Sequence, residues 1–141
     1  MDTLAPPTAA PTRRPRVSLW TLRFLLTGHL VAVLAQPVLA GRYLTGDVDA
    51  ITVHGLVGSL LSLVAMALMA GALAYVLFGR GRLWVLPATV LLFLAEGLQI
   101  GAGYSRELAV HVPLGVAIVV VAVLLAAWAW TPSAARPRGR R

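Results

Sequence analysis

Four long apolar stretches joined by short turns leave this chain very few folds. Between Val17 and Thr131 the only acids are Asp47, Asp49, Glu96 and Glu107, and the only bases are Arg23, Arg42, Arg80, Arg82 and Arg106. The runs between them reach the roughly 20 apolar residues that cross a bilayer. In hydrocarbon every backbone N–H and C=O must find a partner inside the protein, so such runs fold as helices. The expected fold class is all-α: an integral membrane four-helix transmembrane bundle, with spans near 17–40, 51–78, 83–103 and 108–130.

Charge placement then sets the topology. The net charge is +7, but the arginines sit in tails and turns, where they orient helices and meet anionic lipid, so the charge does not indicate nucleic-acid binding. Residues 1–16, ending in RRPR, read as a disordered cytoplasmic tail, and residues 132–141 as a basic cytoplasmic one. With both termini inside, ten arginines lie on the cytoplasmic side and only Arg42 and Arg106 outside. The basic start, first apolar run and Val38-Leu39-Ala40 also fit a cleavable signal, but the repeat described next makes this segment part of the fold. There is no lysine, and the wealth of Ala, Arg, Gly and Pro points to a GC-rich bacterial genome, hence a bacterial plasma membrane. The absence of cysteine excludes disulfides, thiolate ligands and a cysteine nucleophile.

The chain carries a faint repeat. LAQPVLAG at 34–41 matches LAEGLQIG at 94–101, and HGLVG at 54–58 matches HVPLG at 111–115. The order is the same each time: a polar residue in one span, a glycine, a loop, then His and Gly. This predicts two repeated helical hairpins that bring His54 and His111 face to face across the bundle at one depth. On a helix, residues four apart share a face, so Gly58 and Gly115 leave bare backbone one turn below each imidazole. Such a seat suits a flat ligand between helices. Two neutral imidazoles bind iron without adding buried charge, so His54 and His111 are the candidate axial ligands of a haem, b-type because no cysteine can attach it covalently. Arg42 and Arg106, just before these helices, are the candidate partners of its propionates. Read without a ligand, each histidine is a polar residue bonded to a loop near a helix start.

Ionisable groups inside a membrane are costly and mark sites. His29, with Gln36 on its face, has no second histidine at its depth, so it reads as a helix–helix hydrogen-bonding group. Glu96 and Gln99 form a polar stripe with Gly103, and Glu96 reads as an acid bonded to Gln36 or His29, or as part of a proton path. Gly97 and Gly101 form a G-x-x-x-G, which marks where a neighbouring helix approaches. No H-E-x-x-H, phosphate-binding glycine loop or Ser-His-acid set is present.

The stretch LLFLAEGLQIGAGYSRELAVHVPLGVAIVVVAVLL resembles a hairpin of haem A synthases: a glutamine-containing helix ending in glycine, a short loop, and a helix opening with a haem-ligating histidine. Residues 18–130 resemble one four-helix half of that family, and also small bacterial four-helix b-type cytochrome-like membrane proteins. The resemblance implies haem on His54 and His111. It does not imply synthase activity: Ile51 stands where the family has its catalytic glutamate, Gly55 where an arginine often follows the histidine, and the loop cysteine pair is missing. The expected function is electron transfer by a membrane-embedded b-type haem protein rather than an enzyme. The alternatives are a cofactor-free accessory or scaffold subunit, and a small transporter or proton-path component built on Glu96, Gln36 and His29. Expected partners are the lipid bilayer, a redox or membrane-complex protein, and another copy of the chain.

Overall fold

A computed structural model describes residues 17–139. The described chain is an all-α bundle of four long helices: α1 (Val17–Leu44), α2 (Asp49–Leu77), α3 (Val85–Tyr104) and α4 (Leu108–Trp130), followed by a short α5 (Pro132–Ala135). All four long helices are apolar and long enough to cross a membrane. The expected disordered segment 1–16 and the last two arginines lie outside the described residues. α1 packs on α2 and α4, and α3 packs on the same two, so α1 faces α3 and α2 faces α4 across the centre.

Each helix buries a stripe with alternating steps of three and four: Leu19, Leu22, Leu26, His29 and Val33 on α1, and Leu61, Ala65, Leu68, Ala72 and Tyr75 on α2. On α3 the stripe is Val85, Thr89, Leu92 and Glu96, and on α4 it is Ile118, Ala122, Leu125 and Ala129. A repeat near 3.5 residues keeps one seam facing its neighbours, and alanines in the seam let backbones approach closely. The opposite faces expose Phe24, Leu63, Leu91, Leu98, Val116 and Leu124, an outer coat suited to lipid.

α1 runs one turn past the expected end at Ala40. Pro37 sits inside it and Gly41 does not stop it. The loop to α2 shrinks to 45–48, where Gly46 takes φ +104 and the Arg42 guanidinium bonds Asp47 Oδ2 at 2.6 Å. A basic residue in the last helical turn complements the partial charge of the free carbonyls there.

The opposite end of the bundle, which carries both ends of the described chain, is tightly built. The Gly79–Arg82 turn folds over Tyr75, with Gly81 N–H donating to Tyr75 O at 3.0 Å and Arg80 at φ 49. Tyr75 is fully buried, and its hydroxyl donates to Ala134 O at 2.8 Å. Its ring meets Trp128 edge-on, and Trp128 meets Trp84. The stretch after Trp130 lies against the bundle: Ala134 is fully buried and Arg138 N–H donates to Arg80 O at 2.8 Å. Arg23 donates from Nε to Ala129 O at 2.9 Å, with its guanidinium 4.9 and 5.0 Å from the Trp20 and Trp130 ring centres.

Candidate functional site

At the other end, His54 opens α2 and His111 opens α4, each about one turn inside its helix. These helices are diagonal partners, so the two rings meet over the centre, with centroids 6.1 Å apart and planes at 59°. Each ring is held by the preceding helix of its own hairpin. His54 Nδ1 is 3.2 Å from Gln36 O, and His111 Nδ1 is 2.9 Å from Gln99 O. A carbonyl oxygen only accepts, so Nδ1 carries the hydrogen in both rings and Nε2 keeps its lone pair. His111 Nε2 receives a long contact from Gln99 Nε2 at 3.4 Å.

The two glutamine side chains rest where the sequence leaves room. A Cβ on Gly58 would stand 3.8 Å from Gln36 Oε1, and one on Gly115 would stand 2.9 Å from Gln99 Nε2. Gln36, His54 and Gly58 therefore form the same device as Gln99, His111 and Gly115. The repeat is real in space, but its register differs from the letter match. LAQPVLAG on LAEGLQIG pairs Gln36 with Glu96, whereas the carbonyl contacts pair Gln36 with Gln99, almost one turn further on. The second hairpin is shorter on both arms, so its glutamine lies closer to its turn.

One layer deeper, the other diagonal is bridged as well. His29 on α1 is fully buried, Glu96 on α3 is 3% exposed, and Nε2 stands 2.5 Å from Oε1. Of the two partners the sequence offered Glu96, the structure selects His29. The other polar atom of each group, His29 Nδ1 and Glu96 Oε2, is buried with no hydrogen-bond partner, as are Gln36 Nε2 and Gln99 Oε1.

Other expected residues fall differently. Arg42 is on the surface, paired with Asp47, and Arg106 is exposed in the α3–α4 turn with φ 60; neither bonds a histidine. Gly97 and Gly101 face open space, so among the described residues their G-x-x-x-G seats no helix. Gly103 is the close approach instead: a Cβ there would lie 2.9 Å from His111 Cε1 and 3.1 Å from its Nδ1. The carbonyls that orient both rings have no signature in the sequence.

The donor set is small. No three His, Cys, Asp or Glu side chains cluster among the described residues as a protein-only metal cage would require. Two imidazoles with anchored Nδ1 atoms are half of such a cage, oriented as metal-binding histidines are by carbonyls behind them. No protein-family model, curated protein or solved structure matches the chain.

Proposed function

We propose that this chain is a membrane-embedded b-type haem protein for electron transfer, with His54 and His111 as the two axial ligands. The observation that carries the reading is the facing pair of rings, each with Nδ1–H on a backbone carbonyl. The two imidazoles stand close enough that both could hold one iron between α2 and α4. The rings here are 6.1 Å apart. The two imidazoles would hold an iron whose remaining ligands came from a macrocycle. Bound there, the haem would supply a one-electron couple at a six-coordinate iron, which fits electron transfer better than substrate turnover.

The chain's own residues would hold the group in stated ways. The Gln36 and Gln99 carbonyls fix the ring tautomers and raise imidazole basicity. Their side chains occupy the space over Gly58 and Gly115, and would have to turn aside for a flat ligand to enter. Arg42 and Arg106 are the basic residues nearest this end and are the candidate propionate partners, Arg42 after leaving Asp47. The arginine distribution supports a bacterial plasma-membrane protein with both termini cytoplasmic, which sets the histidine pair near the outer face.

The test is haem stoichiometry per folded chain after expression with haem supplied. Wild type is expected to hold one haem. His54→Ala and His111→Ala are each expected to lose it while remaining helical, because both rings are only half-buried. Gly103→Ala, whose new methyl displaces the His111 ring, is expected to weaken retention by about tenfold, since outer contacts of metal ligands carry effects of about that size. Full retention in either histidine variant contradicts the ligand assignment.

A further inference from the structure

The α1–α3 diagonal carries a second polar pair, His29 and Glu96, that haem ligation does not use. Four buried polar atoms without partners, His29 Nδ1, Gln36 Nε2, Glu96 Oε2 and Gln99 Oε1, all belong to these two helices. In a membrane interior such atoms demand partners, and buried water is the usual one. Their levels are ordered. With 1.5 Å of rise per residue, His29 lies about 10 Å inward of Gln36 along α1, and Glu96 about one turn inward of Gln99 along α3. Side chains lean toward the N-terminus of their helix, so both glutamine amides hang from the histidine layer toward the His29–Glu96 pair. Gly58 and Gly115 provide the space they hang in.

Inward of the pair the interior is apolar. Beyond the pair the buried residues are Leu22, Leu26, Leu68, Leu92 and Leu125 around Tyr75. The polar side chain there, Thr89, spends its hydroxyl on Leu86 O. The titratable groups nearest the pair on the flanking helices are His54 of α2 and His111 of α4, both toward the open end. At the level of the pair those helices bury Leu61 and Ala65, and Ile118 and Ala122. Arg23, on the far side, is held by Ala129 O.

We propose that His29 and Glu96 form a proton-loading site that exchanges with water at the histidine end only, through water held by the side-chain amides of Gln36 and Gln99. In the unloaded state neutral His29 donates Nε2–H to the Glu96 carboxylate. One proton arrives along the water column on the free Nδ1, the pair passes from one negative charge to neutral, and the Nε2–H···Oε1 bond persists. Release is the reverse step, and no other bond forms or breaks. The proton-bearing pair lies on the other diagonal from His54 and His111, while Gln36 and Gln99 are shared with the haem seat.

The test is an acid-minus-base infrared difference spectrum of the full-length protein, as purified and placed in lipid nanodiscs. Wild type is expected to show reversible carboxylate and imidazole bands that rise at the mixing-limited rate after a pH jump. The Glu96-dependent bands, taken as wild type minus Glu96→Gln so that the other acids and His54 and His111 cancel, are expected to include a carboxylate and an imidazole and to persist, shifted, in Glu96→Asp. Replacing both Gln36 and Gln99 by Leu is expected to slow the rise by about tenfold or more, because the water loses its partners. Thr89→Val, on the apolar side, is expected to leave the rate unchanged. A spectrum identical in wild type and Glu96→Gln, or Glu96-dependent bands that rise as slowly in wild type as in the double glutamine variant, overturns the proposal. If Glu96→Gln fails to fold, the shift in Glu96→Asp identifies the pair's bands and the rate comparison decides.

Discussion

Replacing Glu96 by leucine is expected to destabilise the bundle by about 3–5 kcal/mol, and adding His29→Leu is expected to restore most of the loss. The asymmetry follows from burial. Both side chains are sealed from the surface and their near atoms are 2.5 Å apart. Removing Glu96 leaves the His29 Nε2–H in an apolar seam without its acceptor. Removing both leaves two leucines in a seam that already holds Leu26, Leu92 and Leu61. Replacing a buried pair by apolar groups of similar volume is often neutral or stabilising, whereas removing one partner is not. Reversible unfolding in mixed micelles of the two single variants and the double variant measures the coupling. A double variant as unstable as the sum of the singles would show that the pair is not a unit. The same experiment separates stability from proton loading: a stable double variant without the infrared bands would mean that the pair is kept for chemistry rather than for folding.

Gly81→Ala is expected to cost about 3 kcal/mol or more, the upper end for overpacking a closed site. Its Cβ would fall 2.2 Å from two carbons of the Tyr75 ring. That ring cannot retreat, because it is fully buried, meets Trp128 edge-on, and is tied through its hydroxyl to Ala134 O. The turn cannot lift away either, since Arg80 O accepts from Arg138 N–H and Gly81 N–H is bonded to Tyr75 O. Gly97→Ala is the matched control. Nothing lies within 4 Å of its Cβ position, and it is inside α3, so alanine is expected to be neutral or to add up to about 1 kcal/mol of helix stability. Thermal unfolding in one detergent, read by circular dichroism, compares the two. Equal behaviour of the two alanines would show that the Tyr75 turn is looser than drawn here.

The four helices were legible because charge is confined to turns and tails, a consequence of the bilayer as solvent. α4 runs over the expected residues 108–130, and α3 is displaced by one or two residues. The end of α1 was harder to place. Gly41 and Arg42 read as a break, yet the Arg42–Asp47 ion pair and the carbonyl-bonded turn carry the helix to Leu44. The buried stripes left no hydropathy signal, since lipid-facing Leu91 and Leu98 are as apolar as buried Leu92. Only the polar and small residues in the seams, such as His29, Glu96 and Ala65, betrayed an inward face.

The site was half legible. The histidines and glycines were visible as a repeated His-x-x-x-Gly, and the structure brings the two rings together. What seats on those glycines was not visible, because a glycine shows only that space exists. The two carbonyls behind the rings belong to glutamines by position, not by side chain, so the sequence could not point to them. Letter identity also set the repeat almost one turn out, as Leu94-Ala95 matches Leu34-Ala35 while the hairpin lengths differ. The His29–Glu96 pair joins residues 67 apart in sequence on diagonal helices, a choice that only the packing of four helices makes.

The measurement that bears most directly on the central claim is a reduced-minus-oxidised visible spectrum of the detergent-purified protein, expressed with haem supplied. The account predicts a sharp Soret difference and the split reduced bands of a low-spin, two-imidazole haem. A colourless, well-folded protein at full haem supply would contradict it, and so would a high-spin spectrum that survives the loss of either His54 or His111.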